Sequence, residues 1–588
     1  MNNQRILHPL AGLFVLFTSL ITYVLCLEPS VSWWDCGEFI SSAYRLEVGH
    51  PPGAPLFMLL GRFFTFFASG PEHVAKMVNL IRLPFNSGLV VFVVVVVVCL
   101  GWGIRETHRN DTESQGSIRN GNWISGIGFI DEARLGPQEA LPDHERNNKS
   151  RNKYFLLPLL LGLTGATYQF KRSPKDFWVV LGVRALRVEV PAFAGMTGRG
   201  ASRIGVPAFA GMTSALALGI PILMVVQNWD DHDRSNRYIA RDFAYNYLNS
   251  CAPNDILFTS GDNDTFPLWY AQEVEGIRAD VRVICLPYLA ADWYIDQMKR
   301  KAWLSDPVPL QGGGSMNYIP TRKFRLAVDR QKVLANGTVP PEDAGLIVPE
   351  IIWELRRSSL YKNDLMILDL IAHNNWERPI YFTSMGHENI LGLQQYFRLE
   401  GFAYRLVPIR ETDESGLTGS ISTGILYDRL MNTFRWGNIN DKSVFIDSNT
   451  FRTTLILRLR QRFADLADAL IAEGKPDSAR AVVDRVTELL PSENFPNDVL
   501  TAGLAEMYYK IGATDKGNTL LRGYLKDIDQ DLRYIISVEK KFGAMMSDDA
   551  QRNVTLLGEI RRMAETYNQV GLVQEINKLI EQLGIKAT

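Results

Sequence analysis

Long apolar runs are concentrated in the first 226 of the 588 residues of this chain. The first run is about as long as a helix must be to cross a hydrocarbon core of about 30 Å. Arg5 before it and Lys171 after the fourth run predict a cytoplasmic N-terminus and a remainder outside the cytoplasm. The predicted spans are Leu10 to Leu27, Pro55 to Ala68, Gly88 to Trp102, Phe155 to Phe170 and Ser214 to Val226.

The second half of the chain has a different pattern. Short apolar segments such as Ile256 to Ser260 and Val281 to Leu286 alternate with helical patterns and predict a small α/β domain. Further along, helical segments are punctuated by Gly474 and Gly512, which are 38 residues apart and predict tetratricopeptide-like helical hairpins. The net charge of −2, from 62 basic and 64 acidic residues, gives no reason to expect a nucleic-acid partner.

The fold class predicted is therefore a membrane α-helical N-terminal half, then a small α/β domain, then a C-terminal all-α repeat domain. The octapeptide VPAFAGMT occurs twice, at Val190 to Thr197 and at Val206 to Thr213, which suggests an inserted segment rather than a structural repeat. The predicted divisions are transmembrane helices with a first extracytoplasmic loop (1–104), a polar irregular insert (105–153), the remaining transmembrane helices (154–227), the α/β domain (228–410), a linker (411–451) and the helical repeats (452–588).

The loop between the first two apolar runs carries the strongest candidates for chemistry. It reads SWWDCGEFISSAYRLEVGHPPG, and Asp35 and Glu38 are three residues apart, so one helical turn places both carboxylates on one face. A base is what transfer to a hydroxyl group requires. The alternative is structural, since Ser32 and Asp35 fit a capping box and acidic residues favour a helix start. Arg45 is expected to face water or a lipid phosphate.

Other candidates lie outside that loop. Arg62, inside the second apolar run, offers a bidentate fork to a phosphate group, or it extends to an interface. Asp262 and Asp264 follow the first predicted strand, where α/β sheets often bind ligands, although turn formation alone would explain them. The acidic run at Asp230 to Asp233 predicts no metal site, because consecutive side chains cannot all point at one ion. No cofactor is predicted.

A family resemblance rests on WWDCGEF, GHPPGAPLFMLLGR, YQFKRSPKDFWVV, NWDDHDRSNRY and ILFTSGDNDTFPLWYAQEVEG. With these motifs the chain resembles the DUF2723 family of bacterial membrane proteins, whose eukaryotic relatives are protein O-mannosyltransferases. The resemblance implies a GT-C glycosyltransferase that moves a mannose-like sugar from a polyprenyl-phosphate donor to Ser/Thr hydroxyls of exported proteins. It implies Asp35 as the base, Glu38 in support and His50 lining the substrate site.

The resemblance also carries expectations about place and completeness. It implies the bacterial inner membrane, with several spans and with the C-terminal domains in the periplasm. Such proteins have about ten or more spans, so the middle of the membrane domain is predicted to be deleted or replaced, which leaves an inactive chain as an open alternative. A rival interpretation is a non-catalytic, membrane-anchored scaffold whose helical repeats bind exported proteins. A weaker one is a metal-dependent hydrolase.

Overall fold

The structure is a computed structural model, and it describes residues 17, 20–50, 53–81, 229, 232–312, 323–355, 360–384, 391–410, 420–446, 457–543 and 547–585. The chain divides into two compact units, Met1–Phe92 with Leu223–Thr588, and Val93–Ile222. All elements below belong to the first unit. Its N-terminal helices are α1 (Cys36–Arg45), α2 (Pro55–Thr65) and α3 (Pro71–Asn79).

Helices α1 and α2 pack closely because a glycine lies between them. A Cβ atom added at Gly61 of α2 would stand 2.5 Å from the Cβ atom of Ala43 in α1. Prolines begin both α2 and α3, where the missing N–H group costs no helical hydrogen bond. The three helices therefore form a tight group at the N-terminal side of the unit.

A six-stranded mixed sheet forms the centre of the unit. Its strand order is β2-β1-β5-β7-β6-β8, with β1 parallel to β2 and β5, and β7 antiparallel to β5 and β6. A separate antiparallel pair joins β3 and β4. The strands are β1 (Ile256–Thr259), β2 (Arg282–Cys285), β3 (Lys323–Ala327), β4 (Glu350–Glu354), β5 (Ile380–Phe382), β6 (Phe397–Glu400), β7 (Ala403–Leu406) and β8 (Ser420–Ile421).

Helices and short helical turns surround the sheet. They are α4 (Ile239–Asn249), α5 (Asp262–Glu273), α6 (Asp292–Met298), α7 (Arg330–Ala335), α8 (Lys362–Asn374), α9 (Thr423–Asp428), the 3₁₀ turns Pro287–Ala290, Pro341–Leu346 and Gln394–Tyr396, and the π-helical turn Arg429–Thr433. Every residue of β1 and β2 is buried, as expected for parallel strands covered on both faces. The two strands predicted at these positions are confirmed.

The C-terminal part is helical. Its helices are α10 (Leu457–Ala472), α11 (Pro476–Leu489), α12 (Val499–Lys510), α13 (Thr514–Phe542), α14 (Ser547–Thr566) and α15 (Val570–Leu583). Gly474 and Gly512 follow α10 and α12 with φ of 72° and 74°, the left-handed conformation that glycine tolerates at helix ends. Helix α13 has 29 residues, which does not fit two short helices per 34-residue repeat, so the tetratricopeptide-like prediction is not supported.

One hydrophobic core joins the first predicted loop to the sheet. Val31, Trp33 and Ile40 belong to the same buried cluster as Leu257 of β1 and Leu268 of α5. The rings of Trp33 and Phe243 meet edge to face, with centroids 4.9 Å apart. Since buried apolar surface supplies most of the driving force of folding, this loop is part of the α/β core.

The membrane prediction is wrong for the part of the chain that the structure describes. No helix there is both long and apolar enough to cross a membrane. The run Pro55 to Ala68 forms α2, which has only 11 residues. This finding contradicts the predicted membrane α-helical half and the predicted multi-pass inner-membrane location. Other sequence predictions lie outside the described residues: Gly88 to Trp102, Phe155 to Phe170, Ser214 to Val226, the insert 105–153, the repeated octapeptide and the predicted deletion.

Candidate functional site

Helix α1 begins in a constrained turn beside α5. Trp34 has a φ of 61°, a left-handed conformation that costs of order 1 kcal/mol or more for a bulky residue. Its backbone N–H donates a 2.8 Å hydrogen bond to Oδ1 of Asn263 in the first turn of α5. Asp35 then occupies the N-cap position of α1, yet its side chain makes no capping hydrogen bond. The carboxylate of Asp35 is therefore not used to start the helix.

A glycine lets α1 and α5 approach each other. A Cβ atom at Gly37 would lie 2.2 Å from the backbone oxygen of Phe266, closer than real Cβ contacts allow. Any larger residue at position 37 would push the two helices apart. This contact brings the first turn of α1 next to the first turn of α5.

Glu38 and His50 form a tight pair across the loop. Oε1 of Glu38 accepts a 2.8 Å hydrogen bond from the His50 backbone N–H, and Oε2 lies 2.5 Å from His50 Nδ1. The Glu38 side chain is 8% exposed, whereas that of His50 is 33% exposed. The His50 ring is stacked over Phe266, with an interplanar angle of 7°. Glu38 thus fixes the position and orientation of the imidazole.

Asp262 joins this group from α5. Burial raises its pKa, and the nearby carboxylates of Asp35 and Glu38 add to the rise while His50 opposes it. We call Asp35, Glu38, His50 and Asp262 the acidic cluster. Asp262 comes three residues after the last residue of β1, so the cluster lies at the carboxyl end of a parallel strand, a frequent place for ligands in α/β sheets.

Asp264, predicted together with Asp262, has other partners. Its Oδ2 accepts from Thr383 Oγ1 at 3.0 Å, and its Oδ1 accepts from Arg458 Nη1 at 2.7 Å. Its side chain is 4% exposed. This carboxylate connects the end of β5 to helix α10. Contact of Asp264 with a substrate stays a prediction.

The two predicted phosphate-binding arginines are also engaged elsewhere. Arg45 donates from Nε and Nη2 to the Glu273 backbone oxygen, and its guanidinium lies 3.9 Å from the Trp303 ring centroid. Arg62 donates to the Tyr44 backbone oxygen at 2.5 Å. Of the three predicted cationic residues, His50 is the one that the structure brings to the acidic cluster.

The groups around His50 shift the pKa of its imidazole. Its hydrogen bond to Glu38 raises the pKa of the imidazole above the usual value of 6.5, burial opposes the rise, and Asp35 and Asp262 add to it. Because the folded pKa is raised, this pair stabilises the fold fully below about pH 6.5. The contribution is lost as the pH rises through the folded pKa.

We expect Glu38→Gln to lower the pKa of His50, because the strongest cause of the rise is removed while burial remains. The measurement is an NMR titration of the imidazole proton signals, assigned with a His50→Gln variant. His73, whose side chain is 48% exposed and paired with Glu72, lies outside the acidic cluster, and its imidazole signals are the internal control. An unchanged His50 pKa in Glu38→Gln would show that the hydrogen bond to Glu38 does not raise the pKa of the imidazole.

Sequence reasoning missed Tyr288. It lies in the 3₁₀ turn directly after β2 and is half-buried. Burial raises the pKa of its hydroxyl group, and the carboxylates of Glu38, Asp262 and Asp35 add to that rise. The rule that pointed to Asp262 after β1 would have found Tyr288 if applied to the next parallel strand.

Two family models match parts of this chain. Residues 35–129 match the family model described as the Protein O-mannosyl-transferase TMEM260 N-terminal domain, so the matched stretch of this chain begins at Asp35. Residues 240–313 and 310–424 match TMEM260-associated domain 2. These matches support a protein O-mannosyltransferase-like family. The DUF2723 name stays a prediction.

A curated relative matches over a short stretch. The Protein O-mannosyl-transferase tmem260 of Dictyostelium discoideum is 36% identical over 90 residues, which cover 15% of this chain and 11% of that protein. The chain therefore matches only a small part of this relative's length. No solved structure matches the chain significantly. Within the described ranges, no group of three or more His, Cys, Asp or Glu side chains is arranged to hold a metal ion.

Proposed function

We propose that this chain transfers a mannose-like sugar from a polyprenyl-phosphate donor to Ser/Thr hydroxyl groups of proteins. The observation that carries the proposal is the acidic cluster itself. It combines three carboxylates and one imidazole at the carboxyl end of β1, and it begins at the residue where the O-mannosyl-transferase family match begins. We assign Asp35 as the base, which takes the proton of the acceptor hydroxyl group.

Asp35 suits this role better than Glu38 does. The Asp35 side chain is partly exposed and does not cap α1. Glu38 is buried, and both of its oxygens are occupied by His50. A base must reach the proton that it removes, so the exposed carboxylate is the better base and Glu38 is a positioning residue. This separates two residues that the sequence grouped as a pair.

The transfer step follows from these assignments. The acceptor oxygen bonds to C1 of the sugar as the bond from C1 to the donor phosphate oxygen breaks, and the hydroxyl proton passes to Asp35. The leaving phosphate keeps the bonding electrons. His50, whose pKa is raised by its hydrogen bond to Glu38, is the group that can stabilise the phosphate charge as it develops when the imidazole is protonated. Asp262 adds negative charge near a sugar ring that becomes positively charged, as in other glycosyl transfers.

The proposal is tested with labelled mannosyl-phosphopolyprenol and a peptide rich in Ser and Thr. Mass spectrometry should show the addition of one hexose, removable by base-catalysed elimination as expected for an O-linked sugar. A nucleotide-linked mannose is the comparison donor and should give little product. Absence of transfer from either donor, together with binding of the peptide, would instead favour a non-catalytic scaffold.

A further inference from the structure

A continuous row of aromatic rings leads away from the acidic cluster. Starting from the ring of Phe266 that stacks on His50, successive ring centroids are 5.4 Å apart to Trp269, 6.2 Å to Tyr288 and 6.0 Å to Trp293. We call Trp269, Tyr288 and Trp293 the aromatic row. Its residues come from three elements, α5, the 3₁₀ turn after β2, and α6.

The row becomes more exposed with distance from the cluster. Phe266 is fully buried, Trp269 and Tyr288 are half-buried, and Trp293 is 55% exposed. Isolated exposed aromatic residues are common. A series of rings of increasing exposure that starts beside a group of carboxylates is different, because it offers a ligand both an apolar face and polar partners. A ligand here would touch ring faces on one side and carboxylate oxygens at one end.

The outer rings are held in place by a buried tyrosine. Tyr294 is 1% exposed, and its hydroxyl oxygen accepts a 2.9 Å hydrogen bond from the Cys285 backbone N–H at the end of β2. Its ring meets Tyr288 and Trp293 edge to face, with centroids 5.5 Å away in both cases. Rings fixed in this way lose little freedom when a ligand binds, so the row is preorganised.

We propose that the aromatic row is the subsite for the sugar ring of the donor, an inference that rests on the proposed function. A hexopyranose has an apolar face of C–H groups and a rim of hydroxyl groups. The C–H groups carry slight positive charge and are attracted to the negative faces of aromatic rings. The hydroxyl groups at the cluster end can donate to Asp262. A sugar on the row, which begins beside the Phe266 ring that stacks on His50, would then lie next to the acidic cluster.

The test measures binding and does not depend on catalysis. Saturation-transfer-difference NMR with methyl α-D-mannopyranoside should show transfer to the ring C–H protons in the unmodified protein. Mannitol, which carries its hydroxyl groups on an open chain, should give a much weaker signal. Trp293→Ala and Tyr288→Leu should each weaken binding about fivefold, the effect of one lost aromatic contact. Tyr288→Phe keeps the ring and should bind nearly as well as the unmodified protein.

Two further variants separate the possible outcomes. Tyr534→Ala removes a tyrosine that is 62% exposed on α13, far along the chain from the row, and should leave binding unchanged. Asp35→Asn should bind the mannoside normally even where it transfers nothing. A transfer-active protein without saturation transfer, or with equal signals in all variants, would overturn the subsite while leaving the proposed function standing. Binding of the mannoside without any sugar transfer would leave the subsite standing and overturn the proposed function.

Discussion

Replacing Asp35 by asparagine is expected to lower mannosyl transfer about 10²–10⁴-fold, the usual contribution of a general base. Asparagine has nearly the same shape but cannot accept the acceptor proton at neutral pH. Because Asp35 makes no capping hydrogen bond, the substitution should leave helix α1 and the thermal stability unchanged. The measurement is kcat/KM for labelled sugar transfer, with the unfolding midpoint recorded for each protein.

The matched control is Asp296→Asn, which changes a carboxylate that is 63% exposed on α6 outside the acidic cluster. It should transfer sugar like the unmodified protein. If Asp35→Asn keeps full activity while Asp262→Asn loses it, the base is Asp262 and the assignment of Asp35 fails. Loss in both variants with normal stability would mean that the two carboxylates act together, since groups that act as a unit are not additive.

Local patterns predicted the strands well, because the physical cause of the pattern is local. ILFT is a short apolar segment, RVIC is apolar apart from Arg282, and both are fully buried strands. The same reasoning failed for the run at Pro55 to Ala68. Helix α2 buries Met58 and Gly61 against the protein but exposes Leu56 and Leu59, so only some of its residues belong to the core. Average hydropathy does not distinguish the buried apolar residues from the exposed ones.

The site was partly predictable for a similar reason. Asp35, Glu38 and His50 are neighbours in sequence, so one loop brings them together. Asp262 lies 224 residues after Glu38 in the chain. Tertiary packing places it near the other three residues, and the sequence pattern does not contain that packing.

Helix geometry separates Asp262 from Asp264 in a way that spacing alone could not show. The two carboxylates are both in the first turn of α5. Burial raises the pKa of Asp262 and the charges of Asp35 and Glu38 add to the rise, whereas Asp264 accepts hydrogen bonds from Thr383 and Arg458.

The capping alternative at Ser32 was decided by a distant residue. The Ser32 hydroxyl oxygen accepts a 3.1 Å hydrogen bond from Arg237 Nη2, and α1 begins only after Asp35. The same arginine holds Glu28 with two hydrogen bonds, from Nε to Oε1 at 2.8 Å and from Nη2 to Oε2 at 2.7 Å. One guanidinium group thus adds polar contacts between the α/β domain and the segment that leads into the acidic cluster, beside the apolar contacts of Val31 and Trp33.

Arg237→Ala is therefore expected to lower the free energy of unfolding by about 3–5 kcal/mol, the usual result when one partner of a buried ion pair is removed. The side chains of Arg237 and Glu28 are only 6% and 12% exposed, so Glu28 would be left buried without its ion-pair partner. Chemical denaturation monitored by circular dichroism measures the change. Transfer activity should fall as well, since the turn that places Asp35 loses its attachment.

Two comparisons show whether burial is the cause. Arg325→Ala breaks a pair whose side chains are 62% and 37% exposed, and it should cost less than about 1 kcal/mol. The double variant Glu28→Gln with Arg237→Met removes both charges, so it should be more stable than Arg237→Ala. If the double variant is as unstable as the single one, the lost stability comes from packing around Arg237 and not from a stranded carboxylate. The attachment of the acidic cluster would then depend on the shape of this side chain more than on its charge.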